Sequence, residues 1–443
     1  MTEIWYRLNL FAEKRFFEKE NLIDGIVVPA HLVAYYEIAM PVFLQELELP
    51  FLIDPVTYVW GIDRHFVMKE GRLKKSYAKL VSRLSCSGAN LLGNQRIQAI
   101  KKDSVLFQDF IDCVLKFQLL GDDVKKAPRK DSIDRIRRFK REAEAEEAAH
   151  IEPYALIPPY FYFSNASNAS NPYQKTAYAA EFAKNSDYGE KHKVYPCLCM
   201  DRTILTDQSQ RNKIIEDFGD YPGVLLWIDN FDETTASLHE LEGLANLVIS
   251  FREAGTEPIN LYGGYFSLAL SHIGVSKLSC GICYSRYRNV RAPTGGGGLP
   301  IRYYEPHLKI KLLGDDIFRL YTKAPVLFNC NCPICSSYTE DFRNTQSRTG
   351  REESLNKFFG ILDDTAQIVK GGVINWENSR YHFLYARKVE QEYTNRNELE
   401  NVVSDLRDKH EILSRRIGNL GRLGLRVNSF EYLKLWADVL QNH

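Results

Sequence analysis

Three thiols stand within six residues in Cys330-Asn-Cys332-Pro-Ile-Cys335. A tight turn through Pro333 can bring all three sulfurs to one side, and three thiolates with one imidazole satisfy the tetrahedral preference of zinc. The fourth ligand must come from elsewhere. His382, in the helical stretch Tyr381-His382-Phe383-Leu384, is the first candidate; His307 upstream and an iron–sulfur site stay open as alternatives. A shell closed by four protein ligands leaves no place for water, so the expected zinc is structural rather than catalytic. Cys197, Cys199, Cys280 and Cys283 lie in apolar runs and read as small hydrophobic packing groups.

A second set of polar residues ends short apolar runs rich in Val, Ile, Tyr and Phe: Asp54, Asp201, Asp229 with Asp232, and Gly263–Gly264. The runs themselves are Gly25–Pro29, Pro50–Asp54, Ala155–Phe163, Val194–Met200, Gly223–Ile228, Pro258–Leu261 and Lys277–Cys283, with Trp5–Leu10 as an eighth. Continuous apolarity marks strands covered on both faces, as in a parallel sheet. Helical patterns such as Ser104–Leu120 and Thr235–Ala254 fall between them, which predicts a βα-repeat α/β fold. Polar strand ends favour a (β/α)8 barrel of the TIM type over a doubly wound open sheet.

The cysteine cluster followed by a helical histidine, placed after a run of barrel strands, resembles the tRNA-guanine transglycosylase superfamily, whose members exchange guanine for 7-deazaguanines in tRNA or DNA. The resemblance spans roughly residues 20–390 and implies a (β/α)8 barrel with a zinc subdomain inserted near its end. On that basis residues 1–325 are expected to form the barrel, with a charged helical insertion around 121–150. Residues 326–390 form the zinc subdomain and 391–443 a C-terminal helical appendage. Pro50-Phe-Leu-Ile-Asp54-Pro is similar to the strand ending in the family's active-site aspartate, and Ile259-Asn-Leu-Tyr-Gly263-Gly264 to the penultimate strand with its substrate-binding turn. The family's last strand carries a nucleophilic aspartate; here Ser279 or Cys280 occupies that place.

Without that carboxylate the resemblance points to hydrolysis: a DNA glycosylase that releases a modified base, for instance from phage DNA, in the manner of an antiviral defence enzyme. An inverting hydrolysis needs a carboxylate to steady the oxocarbenium-like sugar or to activate water, not a covalent nucleophile. Asp54 would then hydrogen-bond or protonate the departing base, and Asp229, with Asp232 beside it, would be general base or electrostatic stabiliser. The alternatives are a base-exchanging transglycosylase on DNA or tRNA, with Asp229 as nucleophile, and a barrel that binds nucleic acid without chemistry.

Nucleic acid has candidate contacts. Between Tyr284 and Tyr304, Arg286, Arg288, Arg291 and Arg302 interleave with four tyrosines around a tetraglycine, a composition suited to phosphate and unstacked bases. The basic run Lys125–Arg141 could add a second clamp. A target base inside a duplex must be flipped out, and Tyr58, Phe161 and Phe163 are the candidate stacking residues.

Composition sets the frame. The 443 residues balance 57 basic against 57 acidic side chains, with 44% hydrophobic residues, as in an ordinary globular protein. No run approaches the length of a membrane span, the first twenty residues carry no signal-peptide core, and nine cysteines are too few and odd in number for a disulfide framework. The expectation is a cytoplasmic protein, for which a homodimer is also compatible.

Overall fold

The computed structural model describes residues 1–18, 21–62, 68–69, 72–84, 97, 99–120, 152–282, 288–291, 301–360, 372–417 and 430–443. Seven short strands form one parallel sheet: β1 (Glu3–Arg7), β2 (Gly25–Pro29), β3 (Phe51–Asp54), β4 (Cys197–Asp201), β5 (Gly223–Asp229), β6 (Glu257–Asn260) and β7 (Lys277–Gly281). Their order is β3-β2-β1-β7-β6-β5-β4, so the first strand pairs with the last and the sheet curls. Both faces are covered, and nearly every strand residue is buried, as the unbroken apolar runs predict. Gly25 shows how tightly the interior is filled: a Cβ there would lie 2.3 Å from the indole of Trp5, its partner in register on β1.

The expected strand Ala155–Phe163 is not a regular one. Pro158 and Pro159 have no N–H to give a ladder, and only Leu156 and Phe163 form bridges. The segment nevertheless runs between the two edges of the sheet. Tyr154 N donates to the Phe51 carbonyl of β3 (2.8 Å), and Phe163 exchanges bonds with Cys199 O (3.1 Å) and Asp201 N (3.0 Å) of β4. The Gln118 amide satisfies both the N–H and the carbonyl of Ile157 at 2.8 Å. The parallel strands among the described residues thus make a seven-stranded curled sheet, with two separate antiparallel pairs, and a complete eight-stranded barrel is not formed by them.

The connecting helices begin where local chemistry dictates. Leu238–Glu253 opens on a capping box, with Glu240 N bonded to Ser237 Oγ and Ser237 N to Glu240 Oε2, and Asp207 caps Gln208–Phe218. After β7, the antiparallel strands Arg302–Glu305 and Ile310–Leu313 pack on the long helix Asn378–Arg396, which runs through the expected boundary at residue 391. The last two helices, Leu399–Ile417 and Glu431–Gln441, are not a detached appendage. Trp436 stacks on Tyr265 and Phe266 after β6 and donates to the Glu233 carbonyl (2.9 Å), while Tyr432 donates to the Leu308 carbonyl (2.6 Å). No helix among the described residues is long and apolar enough to cross a membrane. The expected insertion at 121–150, with Lys125–Arg141, lies outside the described residues, as do Arg286 and the tetraglycine.

Candidate metal centre and the mouth of the sheet

Cys330, Cys332, Cys335 and His382 come together with all four ligand atoms within 4.8 Å of one another. His382 Nδ1 lies 3.7, 3.4 and 3.4 Å from the three sulfurs in chain order. With Zn–S near 2.3 Å and Zn–N near 2.0–2.1 Å, a tetrahedron separates nitrogen from sulfur by about 3.6 Å, so the set could hold a metal ion and is compatible with zinc. Its supports are local. The amides of Cys335 and Ser336 both bond to the Cys332 carbonyl, which folds the thiols around one point, and Thr339 Oγ1 holds the Cys330 carbonyl. The imidazole is oriented from behind: Nε2 donates to the Tyr304 carbonyl (2.7 Å), and the Tyr303 ring stacks on it at 4.0 Å. The alternative ligand His307 is elsewhere, its Nδ1 on Glu305 at 2.9 Å.

A second constellation sits at the C-terminal ends of the strands. Arg7, the last residue of β1, places Nη2 2.6 Å from Oδ2 of Asp54, the last residue of β3, with both side chains almost wholly buried. Asp54 Oδ1 also accepts from the Tyr160 hydroxyl (2.7 Å) and the Val56 amide (2.8 Å). Burial alone would raise the Asp54 carboxyl; Arg7 and these donors outweigh it and hold the group below its ordinary value. Asp54 is therefore ionised at neutral pH, which removes it as a proton donor and leaves it as an acceptor or a charge.

Arg288 turns inward to the same place. It donates to the hydroxyls of Tyr262 (2.9 Å) and Tyr58 (3.1 Å), with its guanidinium 5.5 Å from the Trp227 ring centroid. It is half-buried, with its guanidinium engaged by these phenols. His31, just past β2, stacks on Tyr77 at 4.4 Å; burial, then Arg7 and Arg288, pull its pKa down to about 3.

Asp229 ends β5 in register with Asp201 of β4. Burial first, and the neighbouring Asp201, raise the Asp229 carboxyl above its usual range, against a bond from Val290 N at 2.6 Å. Burial raises Asp201 too, but the Thr203 hydroxyl and amide and the Tyr162 hydroxyl reverse this and lower it. Asp232 turns back on its own loop, accepting from Thr234 N and Oγ1.

Apart from Tyr58, which meets Arg288, the remaining candidates are dispersed. Tyr58, Phe161 and Phe163 are buried: Tyr58 edges onto Trp227 (4.5 Å), Phe161 faces Phe107, and Phe163 faces Tyr173. Gly263 N bonds to Ser279 O (3.1 Å), and Gly264 N is held by Glu233 (2.8 Å), so both amides are engaged within the turn. A Cβ on Gly264 would lie 2.5 Å from Glu233. Arg291 is exposed and, with Tyr162, Phe163 and the Ser164–Asn171 loop, lines a cleft of about 750 Å³. Arg302 is also exposed. On β7, Ser279 is in register with Trp5 and Cys280 with Tyr6. Ser279 thus shares the face of Arg7, whereas Cys280 lies on the opposite face, where Tyr6 meets Phe383 of the long helix.

Sequence reasoning missed Arg7, His31, Tyr160 and Tyr262, and left Asp201 outside the site. For Arg7 a signal existed: a charge inside the largely apolar strand candidate Trp5–Leu10. No family model matches the chain, and no curated protein or solved structure matches it.

Proposed function

We propose that the chain cleaves an N-glycosidic bond in nucleic acid, preferentially DNA, releasing a modified base and leaving an abasic site. In this reading the curled sheet is a (β/α)8 barrel whose fourth stave is the irregular segment 154–163, and the Cys330, Cys332, Cys335 and His382 set holds a structural zinc. The observation that carries it is the pairing of a retained Asp54 on the third strand with a Ser279 on the last strand that faces the same side. A charge suited to an oxocarbenium-like sugar is present; a carboxylate suited to a covalent sugar ester on the last strand is not.

Ionised Asp54 serves as electrostatic stabiliser. Asp229, with its carboxyl raised, is the stronger base and the better activator of water near neutral pH. Asp201 beside it remains anionic and keeps Asp229 raised. Arg291 and the adjoining cleft would receive the backbone next to the flipped nucleotide. The test is a search for free bases by mass spectrometry after incubation with modified phage DNA and with tRNA, combined with trapping of covalent adducts. Free base without adduct supports hydrolysis. An adduct, or incorporation of a labelled base, replaces it with base exchange through Asp229. Binding without release leaves only a nucleic-acid-binding barrel.

A further inference from the structure

The mouth of the sheet carries more positive charge than the base-release reading uses. Among the described residues, two guanidiniums, Arg7 and Arg288, lie around the carboxylate of Asp54, which Arg7 touches. The other polar groups around them are phenols, Tyr58, Tyr77, Tyr160 and Tyr262, and the imidazole of His31. Burial raises the phenols of Tyr58, Tyr77 and Tyr160 and so keeps them protonated, and His31 stays neutral. Among the described residues, Arg7, Arg288 and Asp54 thus leave one positive charge in excess within this aromatic group, with Asp229 and Asp201 at the adjoining strand ends.

Hydrogen bonding is incomplete in the same sense. Arg7 Nε and Nη1 are buried with no acceptor among the described residues, and its contact with Asp54 is an ion pair outside hydrogen-bond angles. His31 Nδ1 is likewise buried and unpartnered. A planar guanidinium presents its N–H groups as a fork, and leaving two of them dry is costly unless an acceptor arrives. The neighbouring carboxylate already occupies the third arm.

We infer that Arg7 and Arg288, with His31 beside them, form an oxyanion site in the mouth of the sheet that takes a phosphate group, either free or as a phosphomonoester. The unpaired Nε and Nη1 edge of Arg7 suits two phosphate oxygens. Arg288 would release a tyrosine hydroxyl to reach a third, and the freed phenol can then donate. This inference is independent of the base-release reading.

Isothermal titration calorimetry at constant ionic strength tests it, on the full metal-loaded chain, with three probes: inorganic phosphate, a deoxynucleoside 5′-monophosphate and its parent nucleoside. Both phosphates should bind and the nucleoside should not. Equal affinity for the two points to free phosphate as the natural occupant, and much tighter monophosphate binding to a nucleotide. Arg288→Gln should weaken phosphate by about tenfold or more. Asp54→Asn, which removes the competing carboxylate, should tighten it. Tyr262→Phe removes one acceptor of Arg288 while keeping the ring, and should also tighten binding even where the other two variants fail to fold. No heat with saturating phosphate in the wild type overturns the site, as does one affinity shared by the wild type and every folded variant. Because binding is read without turnover, failure here leaves base release standing, and failure of base release leaves this site standing.

Discussion

Three of the four ligands in the metal centre lie within six residues, whereas the mouth draws Arg7 from β1, His31 from beyond β2, Asp54 from β3, Tyr160 from the bridging segment and Tyr262 and Arg288 from beyond β6 and β7. The metal centre uses every donor it has: three sulfurs and Nδ1 converge, and Nε2 is tied to Tyr304. Among the described residues, the mouth leaves Arg7 Nε and Nη1 and His31 Nδ1 without a partner. A satisfied cluster stabilises, while an unsatisfied buried one is where a ligand gains most.

The largest expected effect separates the two regions outright. If the set holds the proposed structural zinc, Cys335→Ala, or stripping metal with a chelator, should unfold the hairpin and helices around the centre, since such binding contributes about 10–16 kcal/mol. Metal content by mass spectrometry and loss of circular dichroism check it; a metal-free chain of unchanged stability would contradict it. At the mouth, Asp54→Ala should cost about 3–5 kcal/mol in urea unfolding, because it strands Arg7 as a buried charge. The double variant Arg7→Met with Asp54→Leu should recover much of that loss. If the double is no better than the single, the cost lies in packing rather than charge.

Acid should act on the mouth through two groups of depressed pKa. His31 is neutral when folded down to about 3, against an ordinary value near 6.5, so its contribution is fully present above pH ~6.5 and fades as pH falls toward 3. Asp54, also depressed, adds a loss that begins only below about pH 4. Stability followed from pH 7 to pH 3 should therefore decline in two stages, and His31→Gln should flatten the first. The smallest effect belongs to the rim: Arg291→Ala should weaken nucleic-acid binding modestly and reduce the salt slope by about one log-log unit. An unchanged slope would detach the cleft from nucleic acid.

How far each region could be read from the chain follows from how it is assembled. The cluster that could hold a metal ion was legible because thiol spacing is a local signal, and His382 because its helix could fold back. The sheet was legible where apolar runs were continuous, and it failed at Pro158–Pro159, where composition looks like a strand but the N–H groups are absent. Asp54 and Asp229 were legible as strand ends; their charge states were not, because these depend on Arg7, Tyr160 and Asp201, each remote in sequence from the carboxylate it tunes. Arg288 was read as a nucleic-acid contact from the arginine–tyrosine composition around it, and its turn toward Tyr58 and Tyr262 becomes visible only with those rings in place.

The central claim is that chemistry resides at the mouth and that Asp229 activates water there. Its most direct test is release of free base from modified phage DNA, measured by mass spectrometry, for the wild type and for Asp229→Asn. The wild type is expected to release base, leaving abasic DNA. The variant should keep its metal and its fold while losing release by about two orders of magnitude or more, as removal of a general base implies. Equal release by the two proteins, or no base freed from DNA or tRNA by either, would contradict the account.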